Sequence, residues 1–510
     1  MSLSLAHLLN RNGLFALKGG VHPEGRKFLT AETPIESMPL PSLIRLPLRQ
    51  HIGAQAEPLV KRGDAVVKGQ LIASARSTVS ANVHAPTSGQ VIAVGFFTAP
   101  HPSGLPVPTV TIRPDGQDSW GPRLARMHPE DATAPELATR AAEAGIVGMG
   151  GAGFPAAVKL HLGQKFDLDT LIINGAECEP YLTCDDRLMR EHAEEIVDGA
   201  AIMAKALGVK RLIFGVEANK AAAIAALSGY RNVLGYHIDI RVLPTQYPMG
   251  SGNHLVKIIT GRETPARALS AELGVVVHNV ATAYAMHLAV RYGEPSLHRV
   301  VTVSGRGVKE PRNLRVLIGT PIKEILDHCG GLIGDQTQLV MGGPMMGFPV
   351  QSLRIPAIKS TSGILALTKA ERRKSDAMPC IRCGSCVQAC PAGLTPFEMN
   401  TRIQAENLDG AVEVGLMDCI ACGCCTYACP SNIPLVQGFS YAKGRLAEKQ
   451  SQDHQREETK RLAAARTARE EAIAAAKREA MAKRKAQMAE KKRKEAEAKA
   501  AQAANEEAAQ

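Results

Sequence analysis

The chain is poor in aromatic residues, which make up 4% of it with a single Trp, and it has no long apolar run. The uncharged stretch from Leu273 to Val290 carries His278, Asn279 and His287. That content suits a buried element better than lipid, so no membrane-spanning helix is expected. The start, MSLSLAHLLNRNG, lacks a basic n-region, a long apolar core and a cleavage site, so no secretory signal is expected and the chain should stay in a reducing compartment. A concentrated basic face on a nucleic-acid module is also missing. The formal net charge of +11 is moderate, and residues 451–510 hold 15 Lys and Arg against 11 Asp and Glu. No nucleic-acid partner is expected; the excess fits an anionic membrane surface or an acidic electron-carrier protein.

What the chain does have is cysteine in a distinctive order. Cys380-x2-Cys383-x2-Cys386-x3-Cys390-Pro391 is followed by Cys419-x2-Cys422-x2-Cys425-x3-Cys429-Pro430. Three closely spaced thiolates bind three corners of one [4Fe–4S] cube, and the fourth Cys, before the Pro, ligates the other cube. The spacing therefore assigns Cys380, Cys383, Cys386 and Cys429 to one cluster, and Cys419, Cys422, Cys425 and Cys390 to the second. Structural zinc and a disulfide framework are the other readings, but zinc knuckles use two Cys pairs rather than two such runs. Cys178, Cys184, Cys329 and Cys424 are left over and are expected as buried free thiols. The rest of the chain should feed electrons to these cubes or take them away.

At 510 residues, three or four domains are expected in a multidomain α/β chain. Residues 1–46 are loop-rich, and 47–125 hold short alternating strands with turns at Gly53, Gly63-Asp64, Lys68-Gly69 and Ser88-Gly89. "VKRGDAVVKGQLIA" and "VHAPTSGQVIAVG" resemble the two halves of a lipoyl/biotinyl-type β-sandwich, yet the hairpin Ser74–Thr78 has no lysine to modify. From 130 to 295, apolar strands (171–173, 212–214, 275–277) alternate with Ala-rich helical stretches (188–206, 218–228), a doubly wound signature. Residues 298–348 resemble a small β-grasp soluble-ligand-binding module with one helix near 321–328. Residues 370–445 resemble a helical two-cluster ferredoxin domain, with a helix at 395–414 between the runs. The tail, 446–510, is Ala, Lys, Glu, Arg and Gln with only a thin apolar stripe, and reads as a long, solvated, partly frayed helix.

One loop stands out: Gly145, Gly148, Gly150, Gly151 and Gly153, then Phe154-Pro155 and a helical stretch with Lys159. Glycines let backbone N–H groups close on a phosphate, and a following helix N-terminus favours the anion. A structural turn explains the loop alone equally well. No apolar strand leads straight into it, so it is not a dinucleotide G-x-G-x-x-G unit. It is followed by "LIINGAECEPYLTCDDRLMR" (171–190), "QYPMGSGNHL" (246–255) and "VVVHNVATAYAM" (275–286), each with polar residues just after an apolar strand.

In that order these four segments resemble the flavin-carrying, NADH-oxidising subunit of respiratory complex I, over roughly 130–295. The whole module order, with "GGVHPEGRK" near the start, resembles the C-subunit family of Rnf-type ion-translocating ferredoxin:NAD⁺ oxidoreductases over nearly the full chain. The resemblance implies FMN on Gly148, Gly150, Gly151, Lys159, Asn174, Tyr247, Gly250 and Asn279, with Phe154, Glu177 and Glu179 near the nicotinamide nucleotide. It implies an oxidoreductase passing electrons between NAD(H), FMN and two [4Fe–4S] clusters. Its partners would be the other subunits of a membrane translocase, among them a ferredoxin-like cluster subunit. Membrane contact would come through those partners, on the cytoplasmic face of the bacterial inner membrane. Three departures are visible. The complex I family has Arg where Val147 and Met149 stand. Ser251 and Gly252 replace acidic residues after the Tyr turn. His278-Asn279 replaces a paired Asn. Two alternatives stay open: a soluble cobalamin-type reductase and an electron-relay scaffold with a decayed nucleotide site. The A subunit of the Na⁺-pumping NADH:quinone reductase shares the early modules but lacks the ferredoxin runs.

Overall fold

The computed structural model describes residues 14–151, 153–334, 337–372 and 376–507. The first 13 residues of the loop-rich N-terminal segment lie outside the described residues. The chain divides into two units, Met1–Phe439 and Ser440–Gln510.

In the first unit, alternating apolar residues build a sandwich of two small antiparallel sheets. One orders Ile44–Pro47, Pro106–Pro114, Gly89–Thr98 and Ala65–Val66; the other holds Glu57–Pro58, Leu71–Ser74 and Val83–His84. Ile44, Leu46, Ile72, Val83, Val91, Val110 and Ile112 are buried between them, as period-2 strands with one apolar face require.

The α/β stretch forms a five-stranded sheet in the order Asn232–Val233, Tyr236–Leu243, Arg211–Glu217, Thr170–Gly175, Val275–Asn279. The last four are mutually parallel, and in chain order they stand third, second, first, fourth. That is the doubly wound arrangement, with its reversal between Thr170–Gly175 and Val275–Asn279. Helices Ala193–Leu207 and Val280–Arg291 approach closely because Gly199 has no side chain; a Cβ there would collide with the carbonyl of Ala283. The helical stretch expected at 188–206 is two helices, Cys184–Glu191 and Ala193–Leu207, broken at His192. The His192 ring turns to Glu195 Oε1, 3.0 Å away.

The next sheet has six strands, and two of them come from outside residues 298–348. Ile35–Ser37 lies parallel to Arg312–Leu317, and Gly363–Leu367 sits between His298–Ser304 and Gln338–Met341. Asn313, fully buried, secures the early segment by donating to Thr30 O (2.9 Å) and Thr33 O (3.3 Å). In the cysteine region the helix expected at 395–414 is two, Pro396–Gln404 and Leu408–Glu413. Glu406 takes a left-handed φ of 56°, and the Asn407 side chain accepts from Gly410 N at 2.8 Å, restarting the helix as an N-cap.

The second unit continues helix Leu435–Glu507, whose 73 residues correspond to about 110 Å at 1.5 Å per residue. From Ser451 onward its described side chains are almost all exposed, and ion pairs four apart, such as Arg466–Glu470 and Lys494–Glu490, line it. Among the described residues no helix is long and apolar enough to cross a membrane.

The modules of the first unit meet at polar pins. Lys359 is fully buried, and its ammonium donates to Asn82 O and Gly145 O, both at 2.6 Å, joining the sandwich to the glycine-rich loop. Burial lowers this lysine to about 7. Between about 7 and the ordinary 10.5 the unfolded chain therefore binds more protons than the folded one, and stability rises with pH. Lys359→Met is expected to strand the two carbonyls, lowering stability by about 2 kcal/mol or more. It should also flatten the rise of Tm between pH 7 and 10, which thermal melts across that range measure.

Candidate functional site

The point where strand order reverses is where a doubly wound sheet opens a crevice at its C-terminal edge. At the C-terminal ends of the two strands there, Asn174 and Asn279 are partners in register. Each amide is committed. Asn174 Nδ2 donates to Gly250 O at 2.8 Å. Asn279 caps helix Val280–Arg291 by accepting from Ala281 N at 2.9 Å, while its Nδ2 donates to Asp185 Oδ2 at 2.6 Å. The glycine-rich loop crosses this edge. Met149 N donates to Thr282 Oγ1, and buried Arg299, from strand His298–Ser304, donates to Met149 O at 2.9 Å. A Cβ on Gly150 would stand 3.2 Å from Asn279 Cβ, so a glycine is what lets the loop lie this low.

These elements enclose a cleft of about 630 Å³. Of the residues expected at the site, Gly150, Gly151, Asn174, Glu177, Glu179, Tyr247, Gly250 and Asn279 line it. Gly148, Phe154 and Lys159 are not on its wall. Gly148 N donates to Phe154 O at 2.7 Å, which closes the base of the loop. The Lys159 ammonium is held on Val277 O at 3.1 Å, and burial lowers its pKa.

The acids expected near the nucleotide also hold backbone. Glu177, at a φ of 46°, accepts from Asp185 N (2.7 Å) and Asp186 N (3.1 Å), capping helix Cys184–Glu191. Glu177, Cys184 and Asp185 bring one potential ligand atom each within 4.8 Å of one another, but both Glu177 oxygens are already engaged in this cap. Glu179 accepts from Met345 N (3.0 Å) and Met346 N (2.8 Å), and burial pushes its carboxyl up to about 7.

Two residues here escaped the sequence reading. Asp185 lines the cleft, buried, its carboxyl raised by desolvation against the nearby Arg299 charge. Lys27 donates to the carbonyls of Glu177 (2.8 Å), Glu179 (3.0 Å) and Leu182 (2.6 Å), and burial lowers its pKa. Lys27 stands about 150 residues away from the loop it holds, so no local pattern announces the contact.

The cleft's far wall includes Ile420 and Cys422, from the second cysteine run. The two runs share a backbone signature. Arg382 and Ala421 have φ of 55° and 53°, and Gly384 and Gly423 have 78° and 84°, each pair preceding a short helix (Ser385–Gln388, Cys424–Ala428). Left-handed non-glycine residues are costly and mark a functional turn. Cys390 of the first run lines one small apolar cavity with Cys419, Cys422 and Cys425 of the second, beside Leu394, Met399 and Phe439. Burial pushes Cys425 up to about 12, with Cys419, Cys422 and Cys390 adding to it. Cys386 is raised by burial, and Cys429 contributes to that rise, so the other cross-run pair is also adjacent. This donor set, thiols from both runs around an apolar cavity, fits an iron–sulfur cluster. Cys380 and Cys383 are exposed. Cys184, Cys329 and Cys424 are buried as expected, whereas Cys178 is half-buried on the cleft wall.

Tyr247 joins the two centres. It is buried, lines the cleft, and its hydroxyl donates to Cys422 O at 2.7 Å.

Residues 141–288 match the Nuo51 FMN-binding domain family, 15–117 the RnfC barrel sandwich hybrid domain, 300–349 the SLBB domain and 379–433 the 4Fe-4S dicluster domain. The C subunit of an ion-translocating oxidoreductase complex from Rhodobacter capsulatus is 66% identical over 452 residues, 89% of this chain and 87% of that protein. The C subunit of a proton-translocating ferredoxin:NAD(+) oxidoreductase complex from Clostridium ljungdahlii is 44% identical over 75% of this chain and 83% of its own length. Among solved structures, an NAD+-reducing [NiFe]-hydrogenase in the H2-reduced state aligns with a TM-score of 0.44 at 19% identity, over 62% of this chain and 63% of that one. The chain belongs to the C-subunit family of ion-translocating oxidoreductase complexes.

Proposed function

We propose that the chain is the peripheral electron-input subunit of an Rnf-type membrane complex, exchanging electrons with NAD(H) on one side and with a ferredoxin-like cluster subunit on the other. One observation carries the reading: the cleft and the cysteine cavity share a wall, at Tyr247 and Cys422. When bound, FMN accepts the two electrons of a hydride as NADH becomes NAD⁺, and the [4Fe–4S] clusters carry electrons onward singly.

The protein's part is to hold and orient. Gly150 and Gly151 keep the loop low over the sheet edge, and with Asn174, Tyr247, Gly250 and Asn279 they would hold the FMN, while Gly148 and Lys159, off the cleft wall, would brace the loop and the strand behind it. Glu177 and Glu179 would shape the nucleotide side of the wall while their oxygens secure backbone, and Phe154 would act there only by closing the base of the loop. Cys390, Cys419, Cys422 and Cys425 would hold the inner cluster, beside the cleft. Cys380, Cys383, Cys386 and Cys429 would hold the outer one, where exposed Cys380 and Cys383 face a partner.

In finer detail, the sandwich is of lipoyl type (47–125), followed by the FMN/NADH domain (130–295), a β-grasp module (298–348), the ferredoxin domain (370–445) and the tail (446–510). The basic excess, and the ion-translocating complexes after which the relatives are named, support a place on the cytoplasmic face of the bacterial inner membrane.

Anaerobic reconstitution tests the reading. The chain is expected to carry one flavin and about eight irons, and NADH should bleach the flavin absorbance saturably; no flavin, or no bleaching, sinks it. Cys429→Ser is expected to disturb the cluster held by the first run. Loss confined to the second-run cluster, seen by electron paramagnetic resonance, overturns the cross-run assignment.

A further inference from the structure

The cleft has one wall that none of the flavin-domain segments supplies. Strands Gln338–Met341 and Phe348–Pro349 of the six-stranded sheet pair with Met341 opposite Phe348, and the turn between them, 342–347, is Gly-Gly-Pro-Met-Met-Gly. Gly342, Gly343, Met346 and Gly347 line the cleft. The remaining large residue, Met345, points the other way. It packs with Tyr247, Cys422 and Cys424, and its carbonyl lies so near Gly423 that a Cβ there would stand 2.9 Å away. One short turn from a separate module thus has one face on the cleft and the other on the second cysteine run.

The turn is held by Glu179. Both carboxylate oxygens accept from successive backbone N–H groups, Met345 at 3.0 Å and Met346 at 2.8 Å. Gly343 lies against the same carboxylate, and a Cβ on it would collide with Oε2. Lys27 in turn fixes the backbone of Glu179 by donating to its carbonyl at 3.0 Å. Charge-assisted bonds to paired N–H groups are short and directional, so a bidentate carboxylate fixes a turn in place where apolar contact alone would let it slide. Burial works against the ionised form, with a raised carboxyl as its sign, and the two N–H donors offset that cost.

From this geometry we infer that the 342–347 turn is the partition that sets the spacing between the flavin site and the second-run cysteines, and that Glu179 is a positioning residue clamping it. Glu179 acts on electron passage through the turn, and its share in nucleotide binding is small. The inference rests on the proposed function, since it presupposes that the cleft takes flavin and the cysteines take clusters.

Glu179→Gln is nearly isosteric, but its amide offers one acceptor oxygen and turns an NH2 toward the second N–H. The reconstituted full chain is mixed anaerobically with NADH, and flavin and cluster absorbance are followed separately. The variant is expected to slow cluster bleaching relative to flavin bleaching by about tenfold, within the range a sub-ångström misplacement costs. Hydrogen exchange of the segment 341–348, read by mass spectrometry, should quicken by about tenfold without NADH present. Gly343→Ala presses on the same carboxylate from the other side and should reproduce both effects.

A raised KM with unchanged cluster bleaching makes Glu179 a nucleotide contact and overturns the inference. So does unchanged exchange in both variants, or loss of flavin from both, which would make the turn a flavin holder. If the native protein itself shows no NADH bleaching, the functional reading fails. The exchange comparison still decides whether Glu179 clamps the turn.

Discussion

Tyr247 is where three distant parts of the chain meet. Its hydroxyl donates to the carbonyl of Cys422, its backbone N–H and C=O pair with Val21 in both directions, and the Cys424 thiol lies 3.9 Å from its carbonyl oxygen. A buried hydroxyl without an acceptor costs about 1–3 kcal/mol. Here the acceptor is the backbone of an expected cluster ligand, so the cleft and the cysteine cavity cannot separate without leaving that hydroxyl unpaired. The contact also gives Cys424 a place: a small buried thiol filling the space behind the tyrosine.

The same logic recurs at the other joints of the first unit, with buried cations as the pins. Lys27 spans three carbonyls of the 177–182 loop, Lys359 two carbonyls from separate modules, and Arg299 the carbonyls of Thr361 and Met149. Taking such a charge out of water costs several kcal/mol and largely offsets its hydrogen bonds, so the joint adds little net stability although removing the cation alone strands its acceptors. What they add is register. Apolar faces tolerate sliding by a fraction of a turn, but an ammonium on three fixed oxygens does not. An electron path needs fixed spacing more than it needs strong association, and polar joints supply it.

The modules were legible because their signals are local. Alternation marks the sandwich, apolar strands and Ala-rich helices mark the doubly wound sheet, and cysteine spacing marks the cluster region. Most of the cleft's glycine and asparagine positions were legible too, because each follows a strand end. What was missed is long-range or conformational. Asp185 drew no reading within the segment 171–190, and only Asn279, 94 residues on, makes it part of the cleft. Nothing in "MGGPMMG", inside the stretch that resembles a β-grasp module, announces that Glu179 waits beside Gly343. The single helix expected at 395–414 ignored that Asn407 can cap as readily as it can continue. The strand Ile35–Ser37 lies in a stretch too short and too Pro-rich to read as anything but loop.

Ser251 and Gly252 pose the remaining question, because the resembling families keep acid there. Ser251 stands at the N-terminal boundary of helix Gly252–Thr260, and neither residue can carry a charge into the cleft. The wall is nonetheless acidic. Glu177, Glu179 and Asp185 all line it, and all three come from the single stretch 177–185. Two of them engage backbone N–H groups and the third takes the Asn279 amide, so each is held in place before any ligand arrives. A nucleotide site in decay would lose its polar lining or collapse onto apolar side chains, since unpartnered buried carboxyls are expensive to retain. This cleft keeps about 630 Å³ and a full set of partnered polar groups. Three carboxyls of the strand-end loop therefore line the cleft, held by partners of the chain's own, although the tyrosine turn carries none.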